Sequence, residues 1–194
     1  MTPGSSIRAL AEPSLPEKVI AIHECLAAAR TPHAIGGALA LAYYAEPRTT
    51  IDVDVNLFVP THRWPEVRDA LEPLGVNVDL DLPALERDGQ IRLNWGRSPL
   101  DLFFAYDEFH TAMRRATRKV PFAETTIPIL SPEHLAVCKA MFDRPKDWLD
   151  IEQILVATDP IDLPEIEAWL DRMAPADDHR HSKLAEIKFR LALD

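Results

Sequence analysis

The sequence predicts an α/β (α+β) protein: a mixed β-sheet core flanked by helices, with a helical C-terminal portion. Two changes of hydrophobic period carry that expectation. Polar and apolar residues alternate from Arg48 to Val59, as on a strand with one buried face, whereas apolar residues recur every three to four positions at 16–29 and again beyond Ser131. Size is the third observation. A chain of 194 residues, 47% of them apolar, suits one domain that buries roughly two-thirds of its unfolded surface without a disulfide or metal staple.

Taken in order, residues 1–15 contain Pro, Gly and Ser without periodicity and read as a loose arm. From Pro16, Val19, Ile22, Leu26 and Ala29 form one apolar stripe of a helix that Thr31-Pro32 stops. A short partly apolar piece, His33–Ile35, leads through Gly36-Gly37 into helix formers from Ala38 to Tyr44, which Ala45-Glu46-Pro47 ends. The alternating strand follows, with Ile51, Val53, Val55 and Leu57 on one face. Trp64, Val67, Leu71 and Leu74 predict a helix, and the acidic stretch Asp79–Asp88 receives no element. Ile91–Trp95 and Leu100–Tyr106 read as strands joined by a turn at Gly96-Arg97-Ser98-Pro99. A helix at Glu108–Thr117 and extended pieces at Val120–Phe122 and Thr126–Leu130 complete an α/β core over 16–130. Ser131-Pro132, an N-cap with proline at the first helical position, opens the helical portion 131–194. Its stripes are Leu135/Cys138/Phe142, Trp148/Ile151/Leu155, Ile166/Trp169/Leu170/Met173 and Leu184/Ile187/Leu191.

Charge and cysteine usage narrow the function classes. With 31 acidic and 21 basic residues the net charge is −10, which argues against a general nucleic-acid or membrane-surface coat while permitting a local basic patch. Cys25 and Cys138 stand far apart and form neither a disulfide framework nor a CxxC site, so both read as buried thiols in a reducing compartment. No apolar run approaches the roughly 20 residues that span a bilayer. The first ten residues lack the pattern of a secretory signal. These features predict a cytoplasmic protein with no membrane partner.

Chemistry concentrates between Ile35 and Asp54. On a strand, Arg48, Thr50, Asp52 and Asp54 would project from one face. Two carboxylates there repel each other unless a cation sits between them, and hard divalent ions such as Mg²⁺ or Mn²⁺ take oxygen ligands from carboxylates and substrate phosphates. A Gly-Gly pair before a helix exposes backbone N–H groups suited to phosphate oxygens, and Arg48 and Thr50 could hold more. The competing bland readings are an edge strand's solvated face for the acids and a simple turn for the glycines. For Lys139 the bland reading is an exposed ion pair with Asp143 one turn on, and for Asp147 a helix-dipole role.

Gly36-Gly37, then Pro47-Arg48-Thr49-Thr50 and Asp52-Val53-Asp54, together resemble the signature of the nucleotidyltransferase superfamily. Within it the pattern is most similar to the AbiEii/MenT-like toxin nucleotidyltransferases of type IV toxin–antitoxin systems. A second element, Ser131-Pro132-Glu133-His134-Leu135 through Lys139 and then Arg144-Pro145-Lys146-Asp147-Trp148-Leu149-Asp150-Ile151, resembles that family downstream, so the resemblance spans about 33–155. It implies a nucleotidyltransferase-type sheet core and an enzyme that transfers NMP from an NTP and releases pyrophosphate. It implies Asp52 and Asp54 as metal ligands, Thr50 as the Ser/Thr two before the first acid, Lys139 as the nucleotide-phosphate lysine and Asp147 as a downstream essential acid that positions Lys139 or the acceptor. Asp101 is the best match for a third carboxylate and metal ligand, with Asp79 and Asp81 as alternatives. NTP would sit on Gly36, Gly37, Arg48, Thr50 and Lys139.

The acceptor that the resemblance implies is the 3′ end of tRNA, so that the chain acts as a translation-blocking toxin with a cognate antitoxin protein as partner. Arg114, Arg115, Arg118 and Lys119, the densest basic run, are the candidate RNA contacts. AMP transfer to a protein or small molecule is the alternative, and a catalytically silent binding fold is a third. His179 and His181 diverge on a helix and read as an exposed turn, and His33 could at most line the nucleotide pocket.

Overall fold

A computed structural model of the protein describes residues 12–193. Helix α1 (Leu15–Ala28) begins at a capping box: Ser14 is the N-cap, and its backbone N–H and hydroxyl both donate to Glu17. There follow β1 (His33–Ile35), α2 (Gly37–Leu41), β2 (Val53–Leu57), α3 (Trp64–Leu71), α4 (Leu82–Asp88), β3 (Gln90–Trp95), β4 (Ser98–Phe104), α5 (Glu108–Arg115), β5 (Arg118–Phe122) and β6 (Thr125–Ile129). Helices α6 (Pro132–Phe142), α7 (Pro145–Ala157), α8 (Leu163–Met173) and α9 (His179–Leu191) close the chain.

The strands form one mixed sheet in the order β3-β4-β2-β1-β6-β5, as the α/β expectation requires. β2 runs parallel to β4 and antiparallel to β1, and β1 runs parallel to β6. A single hydrophobic core unites Val19, Ile22 and Leu26 of α1 with Val53, Val55 and Leu57 of β2 and with Leu135, Ile151, Leu170 and Ile187 of the C-terminal helices. Helix α6 is buried almost all round, from Pro132 through Ala140, so a lysine carried on it at position 139 is an anomaly that needs an acid. Among the described residues no helix is long and apolar enough to cross a membrane.

Several sequence expectations need correction. Residues 1–11 of the expected arm lie outside the described residues, but Glu12 is anchored. Its carboxylate accepts from the Lys18 ammonium at 2.5 Å and from the Arg97 amide at 2.8 Å. Lys18, 1% exposed, also donates to the Trp95 carbonyl and Ser98 hydroxyl, bolting α1 to the β3–β4 hairpin. Ala29 leaves the apolar stripe because α1 stops at Ala28. Arg30 takes φ +53 and the Thr31 amide returns to the Leu26 carbonyl. Helix α2 ends at Leu41, not Tyr44: the Tyr43 and Tyr44 amides tighten to i→i−3 bonds, and the Tyr44 hydroxyl turns inward to the Leu130 carbonyl at 2.8 Å. The strand expected from Arg48 starts only at Val53, because the sheet offers residues 48–52 no ladder partner, and Ile51 is exposed. Asp81 caps a helix in the acidic stretch that had no assigned element. The β3–β4 turn is tighter than expected, with Trp95 opposite Ser98 and Gly96 at φ +60. Finally, Phe142 is exposed, and both cysteines are free and half-buried as residues rather than fully enclosed.

Candidate active site

Parallel pairing of β2 with β4 sets Asp54 directly beside Asp101, so the two carboxylates share one face of the sheet. Asp52 lies just before β2, where its amide bonds the Thr50 hydroxyl oxygen at 3.2 Å and fixes the approach to the strand. Burial, followed by the charges of Asp101 and Asp52, pushes the Asp54 carboxyl up to about 6; Lys139 and Arg144 oppose that shift. The glycine pair is built around this acid. The Gly36 amide donates to the Asp54 carbonyl at 2.9 Å, extending the β1–β2 ladder. Gly37 adopts φ +55, and a Cβ there would stand 1.8 Å from an Asp54 carboxylate oxygen. The glycines therefore make room for Asp54. As a helix N-terminus they offer little, since α2 has only five residues.

Cations arrive from α6, from the start of α7 and from the segment before β2. Lys139, 4% exposed, donates to Asp150 at 2.6 Å, and Arg48 reaches the same carboxylate at 3.3 Å. The expected partner Asp143 is instead held by Lys183, His179 and the Trp148 indole, which draw its carboxyl well below the usual range. Asp147, fully buried, does not reach Lys139. It binds Arg144 through Nε at 2.6 Å and Nη2 at 3.0 Å and caps the Arg144 amide at 3.2 Å, closing the first turn of α7. Asp150 therefore holds the lysine. On the opposite side Arg92 of β3 grips both oxygens of Asp101 at 2.7 and 2.6 Å.

One cleft of about 250 Å³ is lined by the acids Asp52, Asp54 and Asp101 and by the cations Arg48, Arg92 and Lys139, whereas Asp150 is not among its lining residues. Its charged end contains Gly37, Arg48, Thr50, Asp52, Asp54, Arg92, Asp101, Lys139, Arg144, Lys146 and Asp147. The rest of the lining is largely apolar and aromatic, with Phe103, Tyr106, Phe109, Met113, Cys138 and Met141. Burial pushes the Cys138 thiol up to about 12, so it is a neutral packing group and not a nucleophile. Asp79 and Asp81 do not line the cleft. Neither does Gly36, nor His33, whose Nδ1 faces the Thr31 carbonyl at 2.8 Å and whose Nε2 faces His23 at 2.9 Å. The basic run divides: Arg114 and Arg115 end α5, Arg118 and Lys119 begin β5, and none of the four lines the cleft. Arg118 stacks on Tyr44 and lies 3.8 Å from Glu133.

The site provides three neighbouring hard oxygen donors, Asp52, Asp54 and Asp101, with repulsion that a divalent cation would relieve. Among the described residues no group of three metal-type side chains is preassembled; Asp101 is committed to Arg92. Nucleotide-binding sites for Mg²⁺ commonly use one or two carboxylates and complete the shell with phosphate oxygens and water, a pattern that Asp52 and Asp54 suit.

No protein-family model matches the chain, and no curated protein matches it. Solved structures do. The solution structure of the antibiotic-resistance factor ANT(2'')-Ia covers 92% of this chain and 99% of its own, with 19% identity and a TM-score of 0.54. A crystal structure of ANT(2")-Ia in complex with adenylyl-2"-tobramycin covers 91% and 98%, with 16% identity and the same TM-score of 0.54. The lincosamide antibiotic adenylyltransferase LnuA, lincomycin-bound, covers 73% and 96%, with 12% identity and a TM-score of 0.52. The chain therefore has the nucleotidyltransferase fold.

Proposed function

We propose that the protein is a metal-dependent nucleotidyltransferase that moves NMP from an NTP to an acceptor hydroxyl. The observation that carries this reading is the convergence, in one cleft, of the acids Asp52, Asp54 and Asp101 with two cations, Arg48 and Lys139, that are positioned by Asp150. Lys139, Arg48, Arg144 and Lys146 hold the triphosphate, and Asp150 and Asp147 fix the first three of these in place. Asp52 and Asp54 would hold Mg²⁺ or Mn²⁺, which would supply Lewis-acid neutralisation of the phosphate charge. The acceptor oxygen attacks the α-phosphorus, the bond to the β-phosphate oxygen breaks, and pyrophosphate leaves with that electron pair. The hydroxyl proton passes to Asp101. Gly37 allows the Asp54 carboxylate to face the reacting phosphate.

For the acceptor, the toxin-like motifs favour the 3′ end of tRNA, with a cytoplasmic antitoxin as partner. Support for that reading comes from Gly37, Asp52, Asp54, Lys139, Arg144 and Asp147, which belong to separate stretches of the resembling motifs and line the same cleft. A second reading, AMP transfer to a small acceptor, draws on the aromatic part of the lining and on the absence of the basic run from it. Incubation with each α-³²P-labelled NTP and Mg²⁺, with total tRNA or a panel of small hydroxyl compounds as acceptor and Asp52→Ala as control, decides between them. Label on tRNA that vanishes in Asp52→Ala supports the first. Label only on small hydroxyl compounds supports the second, and no label on any acceptor overturns both.

A further inference from the structure

One ion pair at the mouth of the cleft differs from its neighbours in what it occupies. Arg48 and Lys139 share Asp150, and Arg144 is held by Asp147, so these cations are tethered by acids outside the Asp52/Asp54/Asp101 group. Arg92 instead closes two guanidinium nitrogens on both oxygens of Asp101. The register places Arg92 opposite Asp101, and Asp101 beside Asp54, so the three stand in a row across β3, β4 and β2. While both oxygens of Asp101 accept from Arg92, the lone pairs facing the guanidinium are occupied, and a cation shared with Asp54 has to compete with Arg92 for that carboxylate. The tether is also easy to release. β3 is an edge strand and the Arg92 side chain is 60% exposed against 14% for Asp101, so the guanidinium can swing without moving backbone. An exposed pair of this kind yields readily to a denser anion, because a guanidinium binds phosphate with the same fork that it offers a carboxylate.

Resting on the nucleotidyl-transfer reading, we propose that Arg92 is a latch on Asp101, and thereby a positioning residue. It holds the carboxylate in the nucleotide-free protein and moves to the incoming polyphosphate, which frees Asp101 to work beside Asp54. The transfer couples the arrival of nucleotide to completion of the acidic group, so cation and polyphosphate bind better together than the cation does alone.

The test measures Mn²⁺ affinity by electron paramagnetic resonance, first for Mn²⁺ alone and then for tripolyphosphate in the presence of Mn²⁺, a probe that needs no choice of nucleobase. For Arg92→Gln the two affinities move in opposite directions. Mn²⁺ alone binds about 2- to 5-fold more tightly, the range expected from releasing one exposed ion pair, and Mn²⁺·tripolyphosphate binds more weakly by a similar factor. Arg92→Lys recovers part of the tripolyphosphate affinity, and adding Asp101→Asn to Arg92→Gln removes the gain for Mn²⁺. If the wild type binds Mn²⁺·tripolyphosphate but the two affinities of Arg92→Gln move together, or neither moves, the latch is overturned and the nucleotidyl-transfer reading stands. If the wild type does not bind Mn²⁺·tripolyphosphate, both fall.

Discussion

Lys139 and Asp150 form a buried ion pair at 2.6 Å, each 4% exposed, between helices α6 and α7. Asp150 also receives Arg48, whereas Lys139 has no second carboxylate partner among the described residues. The pair is therefore asymmetric, and its two halves respond differently to removal.

Asp150→Ala leaves the lysine buried and unpaired, and is expected to cost about 3–5 kcal/mol of stability. Lys139→Ala leaves Asp150 with Arg48 and is expected to cost less, while it removes the phosphate contact and lowers transfer activity by on the order of 10²-fold. Urea unfolding and label incorporation on both variants check this. Equal destabilisation by the two substitutions would contradict the asymmetry.

Two glycines with positive φ separate backbone strain from site geometry. Gly37→Ala pushes a Cβ into the Asp54 carboxylate and should reduce activity by on the order of 10²-fold. Gly75 has φ +76, and a Cβ there would meet nothing within 4 Å, so Gly75→Ala should cost only about 1 kcal/mol and leave activity unchanged. Comparing melting temperature with turnover for the pair reads the difference.

Asp54 should trade stability for chemistry. Its folded pKa, about 6, lies above the unfolded value, so between pH 3.8 and 6 the native state holds the extra proton. Stability from this group is thus highest at low pH and is lost as pH rises through that window, by on the order of 2–3 kcal/mol at pH 7. In metal-free buffer Asp54→Asn should be more stable than wild type at pH 7.5 and close to it at pH 4, with transfer activity abolished. Denaturant midpoints at the two pH values would show the difference shrinking.

His33 acts with the opposite sign. Burial holds its pKa below 6.5, so in the unfolded chain it takes up protons first as pH falls. Its contribution to stability is full above 6.5 and lost below, toward the folded value. Acidification from pH 7.5 to 5.5 should therefore destabilise wild type more than His33→Gln, a difference that cancels the opposing Asp54 effect common to both proteins. Equal slopes for the two proteins would show that the imidazole protonates as freely folded as unfolded.

Local patterns in the sequence anticipated most elements because those patterns are themselves the cause of structure. The stripe Val19/Ile22/Leu26, the alternation Val53/Val55/Leu57 and the Ser131-Pro132 cap each act within one turn or one strand. The errors came where a partner was needed. Arg48–Asp52 alternate like a strand but have no neighbour to pair with, and the Ala38–Tyr44 helix formers yield to one long-range bond from Tyr44 to Leu130. At the site, Asp52, Asp54, Lys139 and Asp101 were legible as candidates, and the cleft contains all four. Asp150 and Arg92 were not legible as site residues, since each matters through a side chain that another element supplies.

Hydrophobic period and capping are short-range, so the order of residues alone was enough to show which side chains suit phosphate chemistry and on which helix or strand most of them ride. The pairings had to wait for the folded chain: Lys139 with Asp150 and not Asp143, Asp147 with Arg144 and not Lys139, and Arg92 with Asp101 through a two-residue turn. A charge selects its partner by distance in space and by how far burial strengthens the attraction. Both quantities are set by the packing of α6, α7 and the β3–β4 hairpin against the sheet.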